Sequence, residues 1–278
     1  MKEFEILKEL FRKYEEVSFA FLFGSKSKGL DRNSSDYDIG IYFKPENSKF
    51  IEFEEDRHYP LTDKIWADLE LLLKKDVDVV VLNRASVSLA ADIITKGIPI
   101  IIKNRDIFLR FLVVVTSWAI YRREFVRDYF EIFQRSKSMT EQDKENIRKI
   151  LIFLQNEIED YNWAKKITWE EYREDGHKRR DLERWIENVM NSIIDISKII
   201  LSSHGASLPE TYRETILKLK IFQRFNDQDI ECLSQWAKLR NILAHQYLGI
   251  KWEHIKDFAK ESHENIKNFV EAVKAFIA

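Results

Sequence analysis

The 278-residue sequence contains a single cysteine, Cys232. One cysteine excludes a framework of disulfides within the chain and fits a reducing compartment. Long apolar runs are also missing, since the longest, such as 111–115, fall far short of the roughly 20 residues that a membrane-spanning helix needs. The first ten residues mix charged and hydrophobic side chains at helical spacing, unlike a signal peptide. We therefore expect a soluble, cytoplasmic protein without a membrane partner.

Glycine and proline are scarce, with seven and four residues, whereas charged residues make up 33% of the chain. This combination hints at a heat-stable source. Neither sign of charge dominates, because 45 basic residues face 47 acidic ones and the formal net charge is −2. The overall charge thus argues neither for nor against nucleic acid, and only local patches can decide. The 45% hydrophobic share is ample for one large domain or two ordinary ones.

The first 104 residues alternate between helical and strand patterns. Apolar residues at steps of three and four predict an amphipathic helix over 2–15. Short β-branched or alternating segments predict strands. The full set of predicted elements is strands at 17–23, 37–43, 77–82 and 98–102, and helices at 2–15, 65–73 and 88–96. We therefore predict a compact α/β domain over residues 1–104.

No strand pattern follows residue 104. We predict a connecting helix and hinge over 105–139 and an all-α domain over 140–278. In this half, Ser138 to Glu141 reads as a capping box that opens a helix to about Ile167, and a charged stretch at 170–180 interrupts the helices. Core-facing stripes then predict helices at 182–200, 209–225, 227–244 and 251–277.

Residues 24–38 bring two kinds of ligand-binding group close together in the sequence. Gly24 and Ser25 follow a predicted strand, and a glycine–serine turn there offers backbone N–H groups and a hydroxyl to a phosphate. Asp36 and Asp38 are separated by one residue, so on a strand their side chains share a face. Two carboxylates on one face suit Mg²⁺, which takes further oxygen ligands from water and substrate phosphates. The segment therefore predicts nucleotide chemistry.

The pattern Gly24-Ser25, ten intervening residues and Asp36-Tyr37-Asp38 resembles the signature of the minimal nucleotidyltransferases, relatives of polymerase β and kanamycin nucleotidyltransferase. That family takes a third carboxylate from a later strand, and Asp78 matches the context. The residue itself agrees, because a lone acid in an apolar strand is costly to bury without a partner. The resemblance implies a mixed sheet with flanking helices, and ATP as the donor.

The resemblance also implies a role for each residue. Asp36 and Asp38 bind Mg²⁺, which clamps the triphosphate, while Asp78 completes the metal site and accepts the proton of the acceptor hydroxyl. Gly24 and Ser25 hold the terminal phosphates. Lys28 is the favoured phosphate neighbour, whereas Lys26 fits a phosphate contact and a solvated loop residue equally well.

Residues 240–247 read Arg-Asn-Ile-Leu-Ala-His-Gln-Tyr, which resembles the Arg-x4-His-x-Tyr motif of HEPN domains. The resemblance extends over about 140–278 and is to the HepT-type toxins, many of which are dimeric, metal-independent endoribonucleases. It implies that His245 shuttles a proton and that Arg240 braces the phosphorus of an RNA substrate. Asn241 shares a helix face with His245, whereas Arg240 does not. Three explanations stay open for how Arg240 and His245 could act together: the helix is distorted between them, Arg240 reaches around the helix, or the site is shared across a homodimer of helical domains.

In toxin–antitoxin operons, the relatives of these two halves occur as separate proteins. There the transferase silences the ribonuclease by attaching AMP to the tyrosine of the motif. The resemblance thus implies that Tyr247 is the AMP acceptor, because a bulky anion two residues from His245 would block RNA. Fusion on one chain departs from that arrangement, and it raises the effective concentration of the acceptor.

Other interpretations remain open from the sequence. The transferase could modify a small molecule, as aminoglycoside nucleotidyltransferases do, with a catalytically silent helical bundle beside it. Arg240, His245 and Tyr247 also fit ordinary packing or surface roles in a non-enzymatic nucleotide-binding or dimerising module. The basic clusters at 122–123 and 178–180 fit either RNA phosphates or a solvated helix face.

Overall fold

The computed structural model describes residues 2–27, 36–45, 52, 58–135, 138–240, 243 and 248–278. The chain divides into two units, Met1–Glu124 and Phe125–Ala278. The first unit is an α/β domain, with a β-sheet and flanking helices, and the second unit is helical. Both predicted fold classes are therefore confirmed. The boundary between the units falls inside one long helix, Arg105–Arg135.

The first unit is built on a sheet of strands rich in valine, isoleucine and phenylalanine, residues that suit a pleated, buried surface. Its strands are β1 (Val17–Phe23), β2 (Tyr37–Phe43), β3 (Val77–Val81) and β4 (Ile98–Ile102). They lie in the order β3-β2-β1-β4. β1 pairs antiparallel with β2 and β4, whereas β2 and β3 are parallel, which confirms the mixed sheet.

Helices cover both faces of this sheet. They are α1 (Lys2–Arg12), the single-turn α2 (Gly24–Ser27), α3 (Leu61–Leu73), α4 (Val87–Lys96) and α5 (Arg105–Arg135). Along β2, the odd-numbered residues from Tyr37 to Phe43 belong to a core cluster that includes residues of α1 and α3. Tyr42 belongs to a second cluster, with residues of α4 and α5. The period-two alternation of β2 therefore decides which face each side chain reaches.

The second unit is helical throughout its described part. Its helices are α6 (Glu141–Glu159), α7 (Tyr161–Lys166), α8 (Trp169–Glu174), α9 (Gly176–Ser203), α10 (Tyr212–Leu217), α11 (Asp227–Trp236), α12 (Leu248–Glu261) and α13 (His263–Ile277), with a 3₁₀ turn at Lys218–Ile221. Leu239, Arg240 and Leu243 are also helical. The long helix α9 is central, since its apolar stripe is buried from Leu182 to Leu201 in one continuous core.

The capping box predicted at Ser138 is wrong, because Thr140 caps α6 instead. The Thr140 hydroxyl accepts from the backbone N–H of Asp143, and the Asp143 carboxylate accepts from the backbone N–H and hydroxyl of Thr140. The same carboxylate is paired with Arg135 at 2.6 Å and is almost fully buried. This extra partner explains why the box forms at Asp143 rather than at Glu141.

Three further expectations about helix limits are wrong. The charged stretch at 170–180 does not interrupt the helices for long, because Thr168 and Glu171 form a capping box for α8 and Asp175 caps α9. The helix predicted through Ile167 ends at Glu159, and the one predicted over 251–277 breaks at Ser262. Composition pointed to loops where short capping motifs in fact start new helices.

No helix within the described ranges is both long enough and apolar enough to cross a membrane.

The Asp143 cluster gives a test of the fold. Asp143→Ala removes the ion pair with Arg135 and both hydrogen bonds to Thr140. We expect a loss of about 2 kcal/mol in the free energy of unfolding, because a buried acceptor is lost and the half-exposed Arg135 can rehydrate. Urea unfolding followed by circular dichroism measures the change. The control Glu141→Ala alters an exposed ion pair with Lys144 and should cost at most about 0.5 kcal/mol; equal losses in the two variants would contradict this account of the cap.

Candidate functional site

The turn after β1 brings its backbone directly against the carboxylate of Asp38. Gly24 starts the single turn α2 and has a φ of +71°, a value that favours glycine. A β-carbon at Gly24 would lie 1.9 Å from Oδ2 of Asp38 and 2.7 Å from its Cγ. No other residue fits this position unless the carboxylate moves. Glycine is therefore required here twice, by backbone angle and by space.

Three acidic residues lie close together beside this turn, two of them on one face of the sheet. Asp38 pairs with Asp78 in the parallel register of β2 and β3, and neighbouring strands are about 4.8 Å apart. Both lie on the face that Tyr42 and Val80 share with α4 and α5. Asp36 precedes Asp38 by two positions and is exposed, as is Asp78, whereas Asp38 is half-buried. The site is therefore open to solvent, with Asp38 as its deepest carboxylate.

The pKa of the Asp38 carboxyl is raised above its usual value. Burial is the main cause, and the negative charges of Asp78 and Asp36 add to it. Both effects disfavour the ionised form of Asp38. The three carboxylates are thus close enough to repel one another, and a bound cation would relieve that repulsion.

The argument that Asp78 is buried in an apolar strand is wrong. β3 is the edge of the sheet, Asp78 is exposed, and Val79 and Val80 are only half-buried. The run of β-branched residues resembled a central strand, but among the described residues no strand pairs with the other side of β3. The need to compensate a buried charge therefore does not support Asp78 as the third acid of the site. Its position opposite Asp38 in the register of β2 and β3 does support that assignment.

The donor set fits Mg²⁺ in its chemistry, because carboxylate oxygens are the ligands that this hard cation prefers. Within the described part of the chain, however, no three acidic, histidine or cysteine side chains are arranged as a metal cage. Mg²⁺ usually takes only one or two carboxylates from the protein and the rest of its ligands from waters and phosphates. Asp36 and Asp38 would hold the ion, with Asp78 beside them.

The residues predicted to contact phosphate are only partly described. Ser25 is exposed on the first turn after β1, next to Gly24. Lys26 places its ammonium 4.0 Å from the ring centre of Tyr37, whose side chain is on the opposite face of the sheet from Asp38. This contact favours a packing role for Lys26 over a phosphate contact. Lys28 lies outside the described residues.

One residue of the second predicted site is described. Arg240 is helical and half-buried, and its guanidinium lies 4.9 Å from the ring centre of Tyr212 at the start of α10. Tyr212 also meets Phe125 edge to face. Tyr212 was not among the predicted site residues, because it lies 28 positions before Arg240 in the sequence. Asn241, His245 and Tyr247 lie outside the described residues.

Two family models match the chain. The model described as polymerase beta, nucleotidyltransferase matches residues 5–106, and the model described as ribonuclease HepT-like matches residues 123–273. The second match covers more than half of the chain. Both follow the division into two units, which falls at residue 124. No curated protein matches the chain.

Solved structures also resemble part of the chain. A crystal structure of a toxin–antitoxin with AMP-PNP is 24% identical, with a TM-score of 0.36, and a mutant of the MntA-HpeT toxin–antitoxin is 23% identical, with a TM-score of 0.35. Each match covers 46% of this chain and 98% of the other.

Two glycines with the same backbone angle allow a matched test of the turn. Gly24→Ala adds a methyl group that collides with Asp38, whereas Gly205→Ala at the same φ of +71° meets open space. We expect Gly24→Ala to lower nucleotidyl transfer about 100-fold by displacing the carboxylate, and Gly205→Ala to retain it. Initial rates of pyrophosphate release from ATP measure both. Similar rates for Gly24→Ala and wild type would show that the contact does not matter.

The raised pKa of Asp38 gives a stability test in the absence of metal. The pKa of the Asp38 carboxyl is higher in the folded protein than in the unfolded chain, so the folded state is destabilised as the pH rises through the folded-state pKa. Ionised Asp38 therefore lowers the stability of the protein at neutral pH. In EDTA, Asp38→Asn should therefore unfold at a higher temperature than wild type at pH 7. The difference should vanish at acidic pH, where Asp38 is protonated. Asp92→Asn, which breaks an exposed pair with Lys96, is the control and should not raise the midpoint; the account fails if Asp38→Asn is the less stable protein at pH 7.

Proposed function

Because the chain belongs to the ribonuclease HepT-like family, and its residues 5–106 match the polymerase-β nucleotidyltransferases, we propose that it joins two activities. The first is Mg²⁺-dependent transfer of AMP from ATP, carried by residues 1–104. The second is cleavage of RNA by a HEPN-type domain over residues 140–278. The helix and hinge at 105–139 link them, and the protein works in the cytoplasm.

One observation carries the transferase proposal, namely the position of the Asp38 carboxylate. It is held against the Gly24 backbone and is electrostatically coupled to Asp78 and Asp36. In this proposal Asp36 and Asp38 hold Mg²⁺, which neutralises charge on the triphosphate of ATP. Gly24 and Ser25, together with Lys28, bind the phosphates. The turn and the carboxylates thus face the same end of the donor.

The transfer step follows from this arrangement. An acceptor hydroxyl oxygen attacks the α-phosphorus of ATP, a new P–O bond forms, and the bond to the β-phosphate bridging oxygen breaks, so that pyrophosphate leaves. Asp78 takes the proton of the hydroxyl. Its exposed position on the edge strand supports this role, because the acceptor must approach from solvent.

We assign the acceptor hydroxyl to Tyr247. An adenylate there would place a bulky phosphate two residues from His245 and would exclude RNA by size and charge. In the ribonuclease, His245 transfers the proton, Arg240 stabilises the charge on the phosphorus, and Asn241 supports His245 on the same helix face. The contact between Arg240 and Tyr212 supports this, because it fixes the guanidinium. As in HepT-type relatives, the helical domains would form a homodimer.

Intact-mass spectrometry tests the proposal most simply. Incubation with Mg²⁺ and ATP should add one adenylate per chain to the wild-type protein, and tryptic peptides should place it on Tyr247. The double variant Asp36→Ala, Asp38→Ala should remain unmodified. Undiminished labelling of that variant would refute the assignment of the transferase site.

The variant Tyr247→Phe is the matched control, because it removes only the acceptor oxygen. It should lose the adenylate and keep the transferase site. A second incubation with an aminoglycoside mixture identifies the competing function: adenylated aminoglycoside together with unmodified protein would overturn the protein acceptor. RNA cleavage in EDTA that disappears in His245→Ala would support the ribonuclease, and cleavage retained in His245→Ala would contradict its assigned residues.

A further inference from the structure

Two arginine side chains converge at the start of α9, in the helical unit. A β-carbon on Gly176 would lie 3.4 Å from a terminal nitrogen of Arg180 and 3.7 Å from one of Arg179. Both guanidinium groups therefore approach the same point, where glycine leaves space. Like charges repel, so an anion placed between the two groups would be attracted by both.

Among the described residues, no carboxylate is paired with Arg179 or Arg180. Arg179 donates to the backbone carbonyl of Arg173 at 3.4 Å, and a guanidinium nitrogen of Arg180 lies 3.2 Å from Nδ1 of His177. Neither partner carries a negative charge, so they leave the two positive charges uncompensated.

Four of the carboxylates nearby in the sequence have other partners. Glu171 is paired with Lys178, Glu174 with Arg173, and Asp175 accepts the first N–H groups of α9. Glu183 accepts from Tyr172 and is paired with Lys251. The other two acids of this segment are Glu170 and Asp181, and neither forms an ion pair with Arg179 or Arg180 among the described residues.

This pair is close to the helix that follows the Arg-x4-His-x-Tyr motif. Burial and the nearby Glu183 raise the pKa of the Tyr172 hydroxyl, and the positive charge of Arg179 partly offsets that rise. Arg179 therefore lies close enough to Tyr172 to act on it electrostatically. The ring of Tyr172 lies 5.3 Å from Trp252 of α12. Trp252 comes five positions after Tyr247, and Lys251 anchors the same turn on Glu183. The sequence motif therefore leads directly into the helix that packs beside the arginine pair.

We propose that Arg179 and Arg180 form a phosphate-binding subsite for the RNA strand that the helical domain takes as substrate. This inference rests on the proposed ribonuclease function and names where the strand is held beside it. Guanidinium groups suit phosphate oxygens because they donate paired hydrogen bonds and keep their charge at any physiological pH. The imidazole of His177, on the same turn, offers a further hydrogen-bonding nitrogen.

Binding of a 2′-O-methyl RNA oligonucleotide, which cannot be cleaved through its 2′-hydroxyls, tests the subsite on the full chain. Fluorescence anisotropy over a series of salt concentrations gives the affinity and its salt dependence. For Arg179→Ala with Arg180→Ala we expect at least about a tenfold loss of affinity at low salt. The slope of log K against log salt should fall by about 1.4, since each phosphate contact to a single strand contributes about 0.7.

Gly176 offers a second variant that should not weaken the fold. Gly176→Glu replaces glycine in a helix and adds an acid to its first turn, both of which are stabilising. Its carboxylate should neutralise the two arginines internally and abolish their contribution to binding. Gly176→Gln has nearly the same shape without the charge and should bind RNA more tightly than Gly176→Glu. Equal affinities for these two variants would overturn the proposal.

The control Arg148→Ala with Lys149→Ala removes the same charge from exposed positions of α6. This control should leave the salt slope unchanged. If the control and the arginine variant lose RNA affinity equally, overall charge alone attracts RNA. If the arginine variant loses no affinity, the subsite is misplaced. RNA cleavage by wild type with an unchanged KM in the arginine variant would refute the subsite and spare the ribonuclease. If RNA binding depends on the arginine pair but wild type cleaves no RNA, the subsite stands and the ribonuclease function is refuted. If wild type binds no RNA at all, both the subsite and the ribonuclease function are overturned.

Discussion

The contact between Gly24 and the Asp38 carboxylate is the constraint on which the first site depends. The positive φ of Gly24 turns the chain sharply as β1 ends, and the missing side chain lets that backbone reach the neighbouring strand. Asp38 is consequently half-buried under the turn, with Asp78 opposite it on β3 and Asp36 two positions before it. Burial and the neighbouring charges together disfavour its ionised form. A bound cation would relieve this repulsion.

Much of the first unit could be predicted from the sequence because its signals are local. The limits of β1, β2 and β4 are confirmed, since each is a short apolar run that ends at a turn or a helix. The shared face of Asp36 and Asp38 stays a prediction, because β2 begins at Tyr37 and Asp36 lies outside it. What the sequence could not provide is the strand order. Asp78 was chosen partly because its strand looked buried, yet β3 is an edge, and only the parallel register shows that Asp78 lies opposite Asp38.

The helical unit was harder to predict in detail because its limits depend on capping contacts between side chains. A run of charged residues resembled a loop, but Thr168, Glu171 and Asp175 use their oxygens to begin α8 and α9. The same segment places Arg179 and Arg180 against Gly176. Basic residues in sequence could not distinguish a solvated face from a convergent pair, since that depends on which carboxylates are already engaged. The contact of Arg240 could not be predicted from the sequence either, because its partner Tyr212 is 28 positions away.

The most direct test of the central claim is electron paramagnetic resonance of Mn²⁺ bound in the presence of a non-hydrolysable ATP analogue. Mn²⁺ accepts the same oxygen ligands as Mg²⁺ and reports its own binding. The account predicts one bound ion per chain in wild type, loss of that signal in Asp38→Asn, and weakened binding in Asp78→Asn. Asp92→Asn removes an exposed charge that is already paired with Lys96 on α4 and should bind the ion as wild type does. Unchanged Mn²⁺ binding in Asp38→Asn would contradict the account.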